Sequence, residues 1–89
     1  MIASTSYSIR IKPSALSKLK KLPSQIKRRI SAKIDSLASD ARPAGGEKLE
    51  GTDDLYRVRV GNYRIIYQIQ DENLLIMIVK VGDRKEIYR

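Results

Sequence analysis

The chemistry most open to this sequence lies in three arginines, Arg57, Arg59 and Arg64, within the run YRVRVGNYR. Polar and apolar residues alternate through LYRVRV (55–60) and YRIIYQIQ (63–70), and Gly61-Asn62 between them suits a two-residue hairpin turn with glycine first. Such a turn pairs Val60 with Tyr63 and Arg59 with Arg64, and puts Arg57 on the same face. Like charges placed directly across a strand pair cost some tenths of a kcal/mol up to ~1, so stability alone does not select this arrangement. One compensation is an acid, Glu50, Asp53 or Asp54, folded over the arginines in surface salt bridges worth ~0–1 kcal/mol each. The other is a phosphate site, because a guanidinium presents a planar fork of donors that matches phosphate oxygens and stays charged at any physiological pH. The second reading accounts better for three arginines on one face.

The residues that are missing narrow the chemistry further. With no histidine and no cysteine, the chain has no disulfide, thiol nucleophile, zinc finger or imidazole base. Its serines and threonines therefore lack the partner of a hydrolase triad, and its scattered acids lack metal-ligand spacing. Neither a metal nor a cofactor is expected. The formal charge is +8, and all of it lies in residues 1–45, with ten basic and two acidic side chains against eight of each beyond. An anionic partner follows from that balance. With 89 residues the chain is expected to be a single domain, 1–89, and no apolar run suits a signal peptide or a membrane span. A soluble cytoplasmic protein without membrane attachment is expected.

The elements that hold the arginines can be read from periodicity. YSIRIK (7–12) alternates as a strand and ends at Pro13. Ala15, Leu16, Leu19 and Leu22 recur at helical spacing among Lys18, Lys20 and Lys21 until Pro23 stops the run. Ile26, Ile30, Ile34, Leu37 and Ala38 then line a second helix, whose other sides carry Lys27, Arg28, Arg29 and Lys33. DARPAGG (40–46) reads as loop, followed by a connector through Lys48, Leu49 and Gly51. LLIMIVKV (74–81) completes a meander of three strands. A three-residue loop at 71–73 sets Lys80 opposite Arg64, whereas a two-residue loop moves it to the other face. Tyr56, Val58, Val60, Tyr63, Ile65, Tyr67 and Ile69 form the face that receives the helices. The expected fold is α+β, β-α-α-β-β-β, with a twisted, mainly antiparallel four-stranded sheet and a helical hairpin on one side.

This order, with YRVRVGNYRIIYQI and the closing VGDRKEIYR, resembles the RelE/ParE superfamily of bacterial and archaeal toxins over nearly the whole chain. The basic strand face and the late tyrosine are similar to the RelE branch, whose members cleave mRNA in the ribosomal A site. The resemblance implies a type II toxin, a ribosome-dependent and metal-independent endoribonuclease that uses the substrate's 2′-hydroxyl as nucleophile. It implies catalytic roles for Arg64, Arg84, Tyr88 and Arg59. Arg64, beside Arg84, would stabilise the phosphorane-like transition state; Tyr88 would act as base or stack on a nucleobase, or else simply pack as a terminal aromatic. Arg57, Lys48 and Lys80 would hold RNA phosphates. Lys20, Lys21, Lys27, Arg28 and Lys33 stand either as a solvated face or as contacts to rRNA. The implied partners are a cognate acidic antitoxin, in a hetero-oligomeric complex, and the 70S ribosome with its mRNA.

The sequence departs from some relatives in two places. It has arginine where they have lysine on the strand, and Gly82-Asp83-Arg84 where many have a histidine. Arginine is a poor proton donor or acceptor, so proton transfer falls on Tyr88, Lys48, Lys80 or the ribosome. The alternatives are a ParE-like inhibitor of DNA gyrase and a catalytically degenerate member that binds RNA or represses its own operon.

Overall fold

A computed structural model describes residues 6–49, 51 and 54–83. Strand β1 (Ser8–Ile11) leads into helix α1 (Pro13–Lys20), where Pro13 occupies the first turn and its missing N–H costs no helical hydrogen bond. Pro23 separates α1 from α2 (Ser24–Leu37), because its ring cannot continue the first helix yet sits well just before the second. After the loop come β2 (Glu47–Lys48), β3 (Leu55–Val60), β4 (Tyr63–Gln70) and β5 (Leu75–Asp83). The sheet order is β1-β5-β4-β3-β2, with β1 parallel to β5 and every other pair antiparallel. The α+β class and the β3–β4 hairpin are as expected. The sheet has five strands rather than four, because the connector at 47–48 pairs with Arg57 and Tyr56; two residues are too few to leave a periodic signal.

Both helices lie on one side of the sheet. Ala15 and Leu19 of α1 and Ile30, Ile34 and Leu37 of α2 bury against Val58, Val60, Ile65, Ile69, Ile76, Ile78 and Val81. Among the described residues no helix is long and apolar enough to cross a membrane.

The hairpin forms as the sequence predicts, with Val60 opposite Tyr63 and Arg59 opposite Arg64. Gly61 has φ of 59°, a conformation in which a Cβ crowds the backbone at a cost of roughly 1–2 kcal/mol. Gly61→Ala is therefore expected to lower the thermal midpoint by several degrees, read by circular dichroism.

The β4–β5 connection differs from expectation. Gln70 pairs with Leu75, so four residues intervene, the last being Leu74 at φ 49°. An even number of loop residues would turn Lys80 away from Arg64, but a bulge between Ile66 and Tyr67 inserts Val79 and restores the face. Lys80 consequently lies opposite Ile66, two pairs along from Arg64, whose neighbour on β5 is Gly82.

At the other end of the sheet, polar groups clip the 38–46 loop down. The buried Tyr67 hydroxyl donates to the Ala41 carbonyl at 2.8 Å, and the Tyr67 ring stacks on Tyr56. The Arg42 guanidinium lies 5.4 Å over the Tyr56 ring and reaches Asp71 Oδ2 at 2.9 Å, while the Tyr7 hydroxyl donates to Asp71 Oδ1 at 2.5 Å. Arg42, and secondly the Tyr7 hydroxyl, hold the Asp71 carboxyl below its ordinary value. A carboxyl depressed in the folded state contributes stability above the unfolded value of about 4, and that stability is lost as pH falls through the folded value. Wild type should accordingly lose more thermal stability than Asp71→Asn between neutral pH and about pH 3, by thermal melts across that range.

Candidate phosphate-binding site

The hairpin carries the three arginines on the sheet face away from the helices, and its hydrogen-bonded strands fix their spacing. Arg57, Arg59 and Arg64 line a cleft of about 290 Å³ together with Lys33, Gly45 and Glu47. Arg64 is only 4% exposed, its Nη1 donating to the Tyr63 carbonyl at 3.4 Å, whereas Arg59 is exposed. A guanidinium so removed from water is held in one place before any ligand arrives. Arg57 is bridged by Glu47 at 2.7 Å.

Among the described residues, the acid that compensates Arg57 is Glu47 of β2. Of the three candidates nearer β3, Asp54 accepts from Gln68 Nε2 at 2.9 Å, and Glu50 and Asp53 lie outside the described residues. Glu47 pairs with Arg57 across β2 and β3, a contact that only the short edge strand creates.

The other expected site residues separate into groups. Lys80 is exposed on the arginine face beside Ile66. Lys48 is opposite Tyr56 and so belongs to the helix-covered face, away from Arg57. Lys33 joins the arginine cleft from α2. Lys20, Lys21 and Lys27 do not line that cleft, and Arg28 lines a separate groove on α2 with Gln25, Ile26, Arg29 and Ala32. Arg84 and Tyr88 lie outside the described residues.

Arg29 was not singled out by the sequence, although a signal was present. Positions 29 and 33 are four apart and directly precede Ile30 and Ile34, which places them at the border of the buried stripe of α2. Cations at such a border lie next to whatever the helix packs on, here the outer edge of β3.

A family model described as the ParE toxin of the type II toxin-antitoxin system, parDE, matches residues 9–88. The mRNA interferase toxin RelE of Escherichia coli (strain K12) is 30% identical over 78 residues, covering 83% of this chain and 81% of that protein. Toxin RelG of Mycobacterium tuberculosis is 32% identical over 91 residues, covering 93% and 97%. Among solved structures, the archaeal RelE-RelB complex from Pyrococcus horikoshii OT3 aligns with a TM-score of 0.80 at 34% identity, over 89% of this chain and 96% of that one. The intact Escherichia coli RelBE toxin-antitoxin complex aligns at 0.77 and 27% identity, over 88% and 96%. The chain belongs to the RelE/ParE superfamily of type II toxins, in its RelE-like branch.

Proposed function

We propose that this protein is the toxin of a type II toxin–antitoxin pair and arrests translation by cutting mRNA in the ribosomal A site. The observation that carries the reading is the convergence of Arg57, Arg59, Arg64 and Lys33 on one cleft of a rigid hairpin. Cleavage proceeds by attack of the 2′-hydroxyl on the adjacent phosphorus. The bond to the 5′-oxygen breaks, leaving a 2′,3′-cyclic phosphate and a 5′-hydroxyl. Arg64 stabilises the charge that develops on the phosphoryl oxygens, as a held donor aimed at that charge does best. Arg59 and Arg57 hold the flanking phosphates, and Arg84 supplies further charge to the transition state. Tyr88, Lys80 or the ribosome moves the protons, since the arginines keep theirs. No metal takes part.

An acidic antitoxin is the natural inhibitor, because an anionic segment that covers the arginines neutralises the cleft and stabilises a small domain by mass action. Complexes of RelE with RelB among the structural relatives support such a partner.

The test is to map mRNA 5′ ends on programmed ribosomes with wild type and Arg64→Ala. New ends within the A-site codon, absent with the variant, are the expected result; intact mRNA with folded wild type overturns the proposal. The match to the ParE family model favours a second reading, inhibition of DNA gyrase by contact alone. DNA damage on induction, with mRNA left whole, selects it.

A further inference from the structure

A second cleft, of about 460 Å³, opens between α2 and the outer edge of β3. Arg29, Lys33, Ser36, Arg59 and Gly61 line it, and it shares Lys33 and Arg59 with the arginine cleft next door. The edge is open here because β2 pairs only with Tyr56 and Arg57, leaving the end of β3 without a strand on that side. The Arg29 guanidinium is close to Gly61: a Cβ built there would touch it in ordinary van der Waals contact, 3.6 Å from Nη1 and 3.9 Å from Nη2. Arg29 therefore lies against the hairpin turn.

Among the described residues no acid compensates the charge on this cleft. Arg57 is paired with Glu47 and Arg42 with Asp71, yet among the described residues Arg29, Lys33 and Arg59 have no acidic partner. Three cations brought together from two elements with no counter-charge are costly unless an anion is bound. Two of the three present guanidinium forks, which suit phosphate oxygens in particular.

We propose that Arg29, Lys33 and Arg59 form a second phosphate subsite, which grips the backbone of the same RNA strand whose neighbouring phosphates lie at Arg57 and Arg64. The inference rests on the RNA-directed reading above. A strand leaving the arginine cleft past the shared Lys33 and Arg59 enters this cleft directly, so successive phosphates meet successive cations. The subsite touches no reacting atom; it anchors the strand and sets its direction across β3.

The test uses the full chain, with a fluorescent single-stranded 2′-O-methyl RNA oligonucleotide that lacks the nucleophile and cannot be cut. Anisotropy is measured over a salt series for wild type, R29A/K33A and, as an equal-charge control at the C-terminal end of α1, K20A/K21A. R29A/K33A is expected to bind roughly ten- to a hundredfold more weakly. Its slope of log K against log salt should be shallower by about 1.4, as two lost phosphate contacts on a single strand require. K20A/K21A should retain most of the affinity. R29Q/K33Q, checked by circular dichroism, should reproduce the loss with the fold intact. Equal losses in both double variants, or wild-type affinity and slope in R29A/K33A, overturn the subsite. So does an R29A/K33A protein that still binds RNA but no longer binds a poly-glutamate peptide, which would assign the cleft to an acidic protein. On ribosomes, R29A, which leaves the arginine cleft intact, should raise KM with kcat near wild type. If wild type leaves mRNA intact while the oligonucleotide results hold, the cleavage reading fails and the RNA subsite stands.

Discussion

Arg64→Ala is expected to lower the rate of mRNA cleavage on ribosomes by roughly 100–1,000-fold, the ~2.7–4 kcal/mol that a held donor supplies to developing transition-state charge. Arg64 is the member of the arginine cleft best suited to that work, because it is 4% exposed and fixed between Arg59 and the side-chain-free Gly82. The loss should fall on kcat, since an interaction made chiefly in the transition state leaves ground-state binding nearly unchanged. Arg59→Ala, at an exposed position, should act mainly on KM. Arg64→Lys keeps the charge but loses the planar fork, so it should recover only part of the activity. Circular dichroism separates lost chemistry from lost folding. Unchanged kcat in a folded Arg64→Ala protein would remove Arg64 from the catalytic role.

The parts of the molecule that were legible in the sequence are those governed by local rules. Gly61-Asn62 sets the hairpin register by turn geometry alone, so the pairing of Arg59 with Arg64 follows without any tertiary information. The buried stripe Ile30, Ile34 and Leu37 follows likewise from helical period, and the prolines at 13 and 23 bracket the first helix. The parts that were not legible depend on contacts between distant segments. Glu47 reaches Arg57 only because a two-residue strand forms at the sheet edge, and no periodicity betrays so short an element. The place of Lys80 depends on a four-residue loop and a bulge whose effects on facing cancel, which gave the expected face for a different reason and the wrong partner. Arg29 reads as ordinary helix surface, and Lys33 as either a solvated face or an rRNA contact, until the open edge of β3 is set beside them. A lysine at position 48 looks equivalent to its basic neighbours in the sequence, yet strand pairing sends it to the opposite face.

The largest expected effect on stability belongs to Tyr67. Its side chain is fully buried at the centre of the sheet, stacks on Tyr56 with ring centroids 5.9 Å apart, and ties down the 38–46 loop through Ala41. Removing a buried aromatic typically costs about 3–5 kcal/mol, to be set against a total of only about 5–15 kcal/mol for a folded domain. Tyr67→Ala should therefore leave a protein largely unfolded near physiological temperature, by circular dichroism and urea titration. Tyr67→Phe isolates the hydroxyl and should cost about 1–3 kcal/mol, because the carbonyl of the buried Ala41 loses its donor. Alkaline pH supplies an independent readout of the same group. Burial pushes the Tyr67 hydroxyl up to about 12, above the unfolded value of about 10. A group raised in this way contributes stability that is complete below the unfolded value and drains away as pH climbs from there to the folded one. Wild type should lose thermal stability over that alkaline window faster than Tyr67→Phe, which has no proton to lose there. Parallel melting curves for the two proteins across the window would show that Tyr67 ionises as readily in the folded chain as in the unfolded one, contrary to its burial beneath the loop.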